Sequence, residues 1–181
     1  MIAKRVTADF AQRERFEEIN CEAFPPDEYM SLSELLEVQA RGEFDVLALF
    51  DGETMVGFMV ISASEEAAYL FFLAIAKEFR GMRYGGQALQ LYRTLYAQRQ
   101  CTVDLEPLDD AAENAAQRIR RRRFYLKNGF SPSGYALEYR GMAFELLCCT
   151  PPLRTEAFAR LAENLHVRGF LPTLLPYPAE K

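Results

Sequence analysis

The sequence predicts an α/β (α+β) protein, because strand-like and helix-like patterns alternate along most of its length. Half of the 181 residues are hydrophobic, which is enough to bury a substantial core in one domain. Near the middle of the chain a dense apolar run, residues 70–75, has the composition of a buried strand. A glycine-rich turn follows it, and then an amphipathic helix with Leu89, Tyr92 and Leu95 on one stripe. We therefore expect a sheet in which one strand leads through a glycine turn into a helix.

Local signals set the boundaries of the elements. A proline pair at residues 25–26 ends the first helix, since proline cannot continue one. Ser31 and Glu34 form a capping box that starts the second helix, and Asp51-Gly52 is typical of a hairpin turn. The predicted order is a strand at residues 3–6, helices at 9–23 and 31–40, strands at 44–50, 55–62 and up to 75, a helix up to 99, a strand at 101–105, a helix at 110–129, strands at 133–138 and 142–148, and a last helix at 155–164.

Composition disfavours nucleic acid and membranes as partners. The formal net charge is −5, whereas proteins that bind nucleic acid carry basic surfaces. No apolar run approaches the roughly 20 residues that span a bilayer, and the first residues lack the apolar core of a signal peptide. A basic cluster, Arg118 with residues 120–123, is interpreted as a solvated helix end whose cations complement the helix dipole. Contact of this cluster with an anionic ligand is the alternative.

The cysteines and the histidine give no sign of a disulfide framework or a metal. Cys21, Cys101, Cys148 and Cys149 form no CxxC pair, and the two adjacent ones point to opposite faces of a strand. Reduced thiols in a cytoplasmic protein fit best. His166 has no Cys, Asp or His partner at metal spacing, so we expect no metal cofactor. The absence of GxSxG disfavours a serine hydrolase of that class.

The glycine turn at residues 80–87 predicts a site for an anion, most plausibly a phosphate. Backbone N–H groups at the start of a helix have no intrahelical acceptor and lie at the positive end of the helix dipole. A Walker A loop is excluded because no Lys is followed by Ser or Thr. The glycines at 81, 85 and 86 do not have the GxGxxG spacing of dinucleotide sites. A purely structural turn is the alternative, since turns before helices often contain such glycines.

The turn resembles the acetyl-CoA loop of the GCN5-related N-acetyltransferase (GNAT) superfamily, commonly written R/Q-x-x-G-x-G/A. A second segment, FYLKNGF at residues 124–130, resembles the FYxxxGF segment near the end of the same family's domain. It lies downstream of the turn with a strand and a helix between, as the family's order requires. The chain is similar in particular to uncharacterised bacterial small-molecule or peptide acetyltransferases.

The resemblance implies the GNAT fold, a mixed, mostly antiparallel central sheet flanked by helices, with splayed parallel strands that form a wedge for acetyl-CoA. It implies a GNAT acetyltransferase domain at residues 1–150, followed by a C-terminal helical extension at 151–181 packed on the same domain. Acetyl-CoA is then the co-substrate, its pantetheine arm on the strand at 70–75 and its pyrophosphate on the amides of the turn. The implied cofactor-binding residues are Leu73, Ala74, Ile75, Arg80, Gly81, Met82, Arg83, Tyr84, Gly85, Gly86 and Gln87.

Acetyl transfer to an amine needs one group that takes a proton from the amine and another that gives a proton to the leaving thiolate, because a lysine-like amine has a pKa of about 10.4. The resemblance places the general acid at Tyr125, and an aromatic with only a packing role is the alternative. The strand glutamate that serves as the base in some histone-type members is absent, since residues 69–71 are Tyr, Leu and Phe. Glu106, at the end of the next strand, is the candidate base, with Asp104 on the same face. A solvated strand end is the alternative for Glu106.

Arg83 departs from the longer RGxGxG form of the loop, in which glycine is common at this position. A positive φ there would strain an arginine by about 1 kcal/mol. Two functions stay open. One is an acetyl-CoA-dependent N-acetyltransferase that acts on a primary amine of a small molecule or peptide by direct attack in a ternary complex. The other is a catalytically weak acyl-CoA-binding, sensing or interaction module. A homodimer through the last strands or the tail is also open.

Overall fold

The computed structural model describes residues 1–26, 28–139, 141–167 and 169–177. Helices and strands follow the predicted order, with one additional short strand near the C-terminus. They are β1 Ile2–Arg5, α1 Arg13–Ala23, α2 Leu32–Ala40, β2 Asp45–Asp51, β3 Thr54–Ala63, β4 Ala67–Ile75, α3 Tyr84–Leu95, β5 Gln100–Leu105, α4 Ala115–Lys127, β6 Ser131–Tyr139, β7 Met142–Cys148, α5 Thr155–Glu163 and β8 Thr173–Pro176.

The chain packs into two compact units, and strand β4 is divided between them. The first unit holds residues 1–63 and 70–95, with strand order β1-β2-β3-β4 and antiparallel pairs β1–β2 and β2–β3. The second holds residues 64–69 and 96–181, with strand order β4-β5-β7-β6-β8. There β4 and β5 are parallel, whereas the other three pairs are antiparallel. This mixed, mostly antiparallel arrangement with flanking helices confirms the predicted fold class.

The core of the first unit forms between β3 and the two N-terminal helices. Phe16 of α1 stacks on Phe58 of β3, with ring centroids 4.1 Å apart, and both side chains are fully buried. The predicted capping box at the start of α2 is confirmed: the Ser31 hydroxyl accepts from the Glu34 N–H at 3.3 Å, and the Glu34 carboxylate accepts from the Ser31 N–H at 2.9 Å. The cap fixes where α2 begins and so which of its faces is buried.

The second unit includes the C-terminal segment, which is tied to the sheet at two places. The buried Gln100 side chain donates to the carbonyls of Thr150 and Pro152 at 2.8 and 2.9 Å and accepts from the Arg154 N–H at 2.7 Å. Strand β8 then pairs with β6, from Glu138 with Thr173 to Tyr135 with Pro176. No disulfide links the four cysteines, all of which the structure describes. None of the described helices combines the length and the apolar character needed to cross a membrane.

Three predicted helix boundaries and one element are wrong. Helix α1 starts later than predicted, α3 ends earlier and α4 starts later, because a local turn replaces the expected helical bond at each place. The turns are closed by backbone hydrogen bonds from Phe10 N–H to Thr7 O (3.1 Å), from Arg99 N–H to Tyr96 O (2.9 Å) and from Ala112 N–H to Asp109 O (3.1 Å). Strand β8 was not predicted, because prolines at 172 and 176 disfavour a strand except at a sheet edge, where β8 lies.

Candidate active site

Strand β4 changes its surroundings partway along its length. Its first residues pair in parallel with β5, and the last pair in this register is Tyr69 with Thr102. The strand continues in the first unit to Ile75, with half-buried residues alternating with buried ones. Of the predicted pantetheine partners, Leu73 and Ile75 are half-buried and Ala74 is buried. The family resemblance assigns the cofactor's extended arm to this end of β4.

A close approach of two backbones fixes this end of β4 against β3. A Cβ placed on Gly57 of β3 would lie 2.2 Å from the carbonyl oxygen of Ala74 and 3.0 Å from Cδ1 of Ile75. Next to this point the Ala76 N–H donates to the Val56 carbonyl at 3.0 Å. Only glycine at position 57 leaves room for the carbonyl of Ala74.

The predicted acetyl-CoA loop is a tight turn bonded to its own strand. A 3-10 turn at Lys77–Phe79 leads into it, and Nε of Arg80 donates to the Ile75 carbonyl at 2.9 Å. Gly81 has a φ of 81° and Arg83 a φ of 67°. The arginine therefore occupies the left-handed region, where an L side chain is strained. Arg80, Gly81, Met82, Arg83 and Gln87 are exposed, whereas Tyr84, Gly85 and Gly86 are half-buried.

The first turn of α3 carries the amides that suit an anion. The Gln87 N–H donates to the Arg83 carbonyl at 3.1 Å, so the N–H groups of residues 84–86 have no acceptor within the helix. They lie at the positive end of the helix dipole, where phosphate groups bind in many proteins. The phenol of Tyr84 donates to Asp51 at 2.5 Å and so anchors the turn to the hairpin between β2 and β3.

In the second unit, Tyr125 is buried on α4, with 8% of its surface exposed. Its ring contacts those of Phe124 and Phe130, with centroids 5.3 and 5.8 Å away. Burial raises the pKa of Tyr125 to about 12; the positive charge of Arg121 opposes the rise and the negative charge of Asp104 adds to it. The phenol is therefore protonated at neutral pH, as a proton donor must be.

Two tyrosine hydroxyls hold the carboxylate of Asp104 on β5. Tyr69 donates to Oδ1 at 2.7 Å, and Tyr139 donates to Oδ2 at 2.9 Å. Burial raises the pKa of Asp104, and the two hydrogen bonds offset part of that rise. Burial and the charge of Asp104 in turn raise the pKa of Tyr69 well above its ordinary value. Asp104 is thus a carboxylate with increased proton affinity, and its charge is felt by Tyr125.

Glu106, the predicted base, is paired with arginines of α4. Its carboxylate lies 3.1 Å from Arg118 and 2.8 Å from Arg121. Arg122, on the same helix, makes a two-bond pair with Glu145, a buried residue, at 2.7 and 3.0 Å. Three arginines of the predicted basic cluster therefore bind carboxylates of this chain and fix α4 to the strands.

Sequence reasoning missed the partners of Asp104. Tyr69 and Tyr139 each lie 35 positions from it along the chain, so no local spacing connects them. Tyr125, Glu106 and Asp104 all belong to the second unit, whereas the predicted cofactor-binding residues all lie in the first. Among the described residues, no group of three or more His, Cys, Asp or Glu side chains is arranged to hold a metal ion.

The mixed sheet and the order of its strands and helices are those of the N-acetyltransferase fold. The family model described as Acetyltransferase (GNAT) family matches residues 13–130, and the chain therefore belongs to the GNAT family. Its general activity is acetyl-CoA-dependent N-acetylation. The match ends at Phe130, so β6, β7, α5 and β8 lie beyond it.

Solved structures of similar proteins share the fold. A protein from Bacteroides thetaiotaomicron assigned to the GNAT acetyltransferases is 23% identical, with a TM-score of 0.74 over 94% of this chain and 99% of that one. The aminoglycoside 6'-N-acetyltransferase from Enterococcus faecium is 15% identical, with a TM-score of 0.61 over 83% and 97%. The PaiA N-acetyltransferase from Thermoplasma acidophilum, in complex with coenzyme A, is 16% identical, with a TM-score of 0.60 over 83% and 98%. No curated protein matches the sequence.

Proposed function

We propose that this chain transfers the acetyl group of acetyl-CoA to a primary amine of a small molecule or peptide by direct attack in a ternary complex. The observation that carries the proposal is Tyr125, whose ring is buried on α4 between Phe124 and Phe130 and whose phenol keeps its proton at neutral pH, because burial raises its pKa to about 12. In a module that only binds acyl-CoA, Tyr125 would serve only to pack against Phe124 and Phe130, so the two functions differ in the role of its hydroxyl. A protein of similar fold is an aminoglycoside 6'-N-acetyltransferase. This likeness supports an amine as the class of acetyl acceptor.

The proposed cofactor site is the end of β4 with the turn and first residues of α3. The backbone of residues 73–75 pairs with the pantetheine arm, and the amides of residues 84–86, which have no acceptor within the helix, bind the pyrophosphate. The N–H groups of Met82 and Gln87 already donate to the carbonyls of Phe79 and Arg83. Arg80 shapes the turn through its bond to the Ile75 carbonyl. Arg83, exposed and held in the left-handed region, is the guanidinium that we assign to a phosphate oxygen.

In the proposed reaction the neutral amine attacks the carbonyl carbon of the thioester. A C–N bond forms, the C–S bond breaks, and coenzyme A leaves as a thiolate. An ammonium acceptor gives up two protons over the whole reaction, one released to solvent and one ending on the thiol of coenzyme A. Tyr125 donates to the departing sulfur and is reprotonated from solvent.

Two carboxylates near the end of β5 are proposed to receive the amine's proton or to orient the amine. Asp104 has the environment of a proton acceptor, because burial raises its pKa. Glu106, the base expected from the sequence, is engaged by Arg118 and Arg121. Glu106→Gln and Asp104→Asn distinguish the two carboxylates. In a plot of kcat against pH, the variant that lacks the base should no longer show the fall in kcat at low pH, whereas the other variant should retain it.

The remaining parts of the proposal concern organisation. We assign the GNAT domain to residues 1–150 and a C-terminal extension of the same domain to 151–181, of which Arg168 and residues 178–181 lie outside the described part. A cytoplasmic location stays a prediction that rests on the expected reduced thiols, and the oligomeric state stays open.

Calorimetric titration with acetyl-CoA tests the cofactor site, with dephospho-CoA and NAD as controls. We expect binding that weakens strongly in Gly85→Val, whose side chain keeps the bound phosphate away from the amides. Unchanged affinity in this variant would show that acetyl-CoA does not bind at the turn. Absence of binding to any CoA ester would overturn both the transferase and the acyl-CoA module.

Turnover with a panel of amines, followed by chromatography of the acetylated product, tests catalysis. Tyr125→Phe should lower kcat by about 100-fold or more while acetyl-CoA still binds. Tyr96→Phe is the matched control, since it removes a hydroxyl from another buried tyrosine of the same unit. An unchanged kcat in Tyr125→Phe would exclude the phenol from the mechanism, and cofactor binding without turnover on any amine would favour the binding module.

A further inference from the structure

We propose that Asp51 and Tyr84 form a positioning pair, which sets the affinity for acetyl-CoA by holding the first amides of α3 in place. The two side chains act through the backbone of the turn and not on the reacting atoms. This inference rests on the proposed function, which puts the pyrophosphate on the amides of residues 84–86. It adds Asp51, a residue of the hairpin between β2 and β3, to the groups on which cofactor binding depends.

Tyr84 lies where the turn becomes a helix. Helix α3 begins at this residue, so its own N–H is one of the amides without an acceptor in the helix. The side chain makes two contacts. Its phenol donates to Oδ2 of Asp51 at 2.5 Å, and its ring meets that of Phe79 with centroids 5.7 Å apart and planes at 77°. Because Phe79 precedes the turn, the ring contact closes the turn, whereas the hydroxyl fixes it to the hairpin.

Asp51 is a well-fixed anchor for this hydrogen bond. It is the last residue of β2 and pairs with Thr54 across the hairpin. The preceding pair, Phe50 with Met55, is buried. Burial of these two side chains leaves the backbone of Asp51 little freedom, although its own side chain is exposed. A hydrogen bond to a group held on a rigid element passes that rigidity to its partner.

The turn needs such a tie because its backbone is strained. Arg83 has a φ of 67°, in a region that L side chains disfavour, and strained backbone persists only where its surroundings hold it. The bond from Arg80 to the Ile75 carbonyl holds the beginning of the turn, between residues five positions apart. The bond from Tyr84 to Asp51 spans 33 positions and holds the end of the turn, directly after Arg83. Its loss should therefore let the turn leave this conformation for part of the time.

The charge of Asp51 has the wrong sign for a site that binds an anion. A carboxylate bonded to Tyr84 repels a phosphate on the first amides of α3, so its position is explained by the hydrogen bond and not by electrostatic attraction. This bond raises the pKa of Tyr84, and the phenol therefore stays a donor at neutral pH. Asparagine at position 51 would accept the same bond without the charge. The two effects of Asp51 on acetyl-CoA binding are thus opposite in sign and can be separated.

Calorimetric titration with acetyl-CoA tests the positioning pair. Tyr84→Phe retains the ring contact with Phe79 and removes the hydroxyl, and it should weaken binding about fivefold, as for a turn that is competent about a fifth of the time. Asp51→Ala should also weaken binding, whereas Asp51→Asn should bind at least as tightly as the wild type. Tyr29→Phe is the matched control, because it removes a hydroxyl that donates to the Glu17 carboxylate at 2.8 Å in the same unit. It should leave the affinity unchanged.

Steady-state kinetics and a double variant show whether the two residues act as one unit. Tyr84→Phe should raise the KM for acetyl-CoA about fivefold and leave kcat at saturating acetyl-CoA within about twofold, since the pair affects binding and not the chemical step. Adding Tyr84→Phe to Asp51→Ala should weaken binding no further, because both changes remove the same hydrogen bond. Independent, multiplying losses would contradict a shared role.

The outcomes separate this inference from the proposed function. Asp51→Ala that binds as tightly as Asp51→Asn would overturn the inference, because Asp51 would then act through its charge alone. Unchanged affinity in Tyr84→Phe, beside weak binding in Gly85→Val, would also overturn it and leave the proposed cofactor site standing. Unchanged affinity in Gly85→Val would contradict the proposed cofactor site and the positioning pair together.

Discussion

Gly57→Ala probes the contact that positions the end of β4, the strand proposed to bind the cofactor. The added Cβ would lie 2.2 Å from the Ala74 carbonyl oxygen and 3.2 Å from its carbon, both backbone atoms, so no side-chain rotation relieves the overlap. Overpacking of this kind costs about 3 kcal/mol, and the reduced freedom of alanine in the unfolded chain returns about 0.5–1 kcal/mol. The net loss of about 2 kcal/mol corresponds to a fall in Tm of about 4–8 °C for a chain of this size.

Thermal unfolding followed by circular dichroism measures the loss, and calorimetry with acetyl-CoA measures its effect on the strand. Gly42→Ala is the control, because its Cβ would meet nothing within 4 Å and only its φ of 81° opposes the change. That variant should lose about 1 kcal/mol and bind acetyl-CoA like the wild type. A Gly57→Ala protein as stable as Gly42→Ala, with unchanged cofactor affinity, would refute the reasoning.

Three further outcomes are expected. Arg83→Gly should raise stability by about 0.5–1 kcal/mol, because relief of the left-handed strain exceeds the greater unfolded-state freedom of glycine; a lower urea midpoint would contradict it. Ser31→Ala should lower the free energy of unfolding by about 1 kcal/mol, because it removes the capping box. Substitution of the exposed Ser33 by alanine should change it by no more than about 0.5 kcal/mol. Equal losses for the two variants in thermal scans would show that the cap does not stabilise α2. Burial raises the pKa of Asp104 above its ordinary 3.8, so the folded state binds this proton more tightly than the unfolded state. The contribution of Asp104 to the free energy of unfolding therefore falls as the pH rises from 3.8 through the raised pKa, and it is constant at higher pH. Thermal scans of Asp104→Asn should lack this fall, and parallel curves for both proteins would contradict it.

Three features of the first unit are predicted correctly from the sequence because their determinants are local. The capping box at Ser31, the hairpin turn at Asp51-Gly52 and the strained position of Arg83 all depend on residues within one turn of each other, and the structure has all three. Local spacing also predicts the turn and the helix start at α3, where backbone amides have no acceptor within the helix.

The cluster around Asp104 could not be predicted in this way. Its two hydrogen-bond partners come from strands 35 positions away on either side, and only the sheet order brings them together. Tyr69 borders an apolar run, and nothing in the neighbouring sequence indicates which group its hydroxyl contacts. Likewise, Glu106 has the sequence context of a solvated strand end, and its ion pairs with α4 depend on how the helix packs on β5.

Strand β8 has a consequence for self-association. Without it, β6 would be an edge strand with a row of N–H and C=O groups able to pair with a second molecule. The four residues Thr173–Pro176 cover that edge, and Pro176 lacks the N–H that would extend the ladder outward. A chain shortened before Thr173 is therefore expected to form oligomers through β6, with aggregation on concentration as the visible sign. The short last strand therefore limits edge-to-edge pairing of β6 between two molecules.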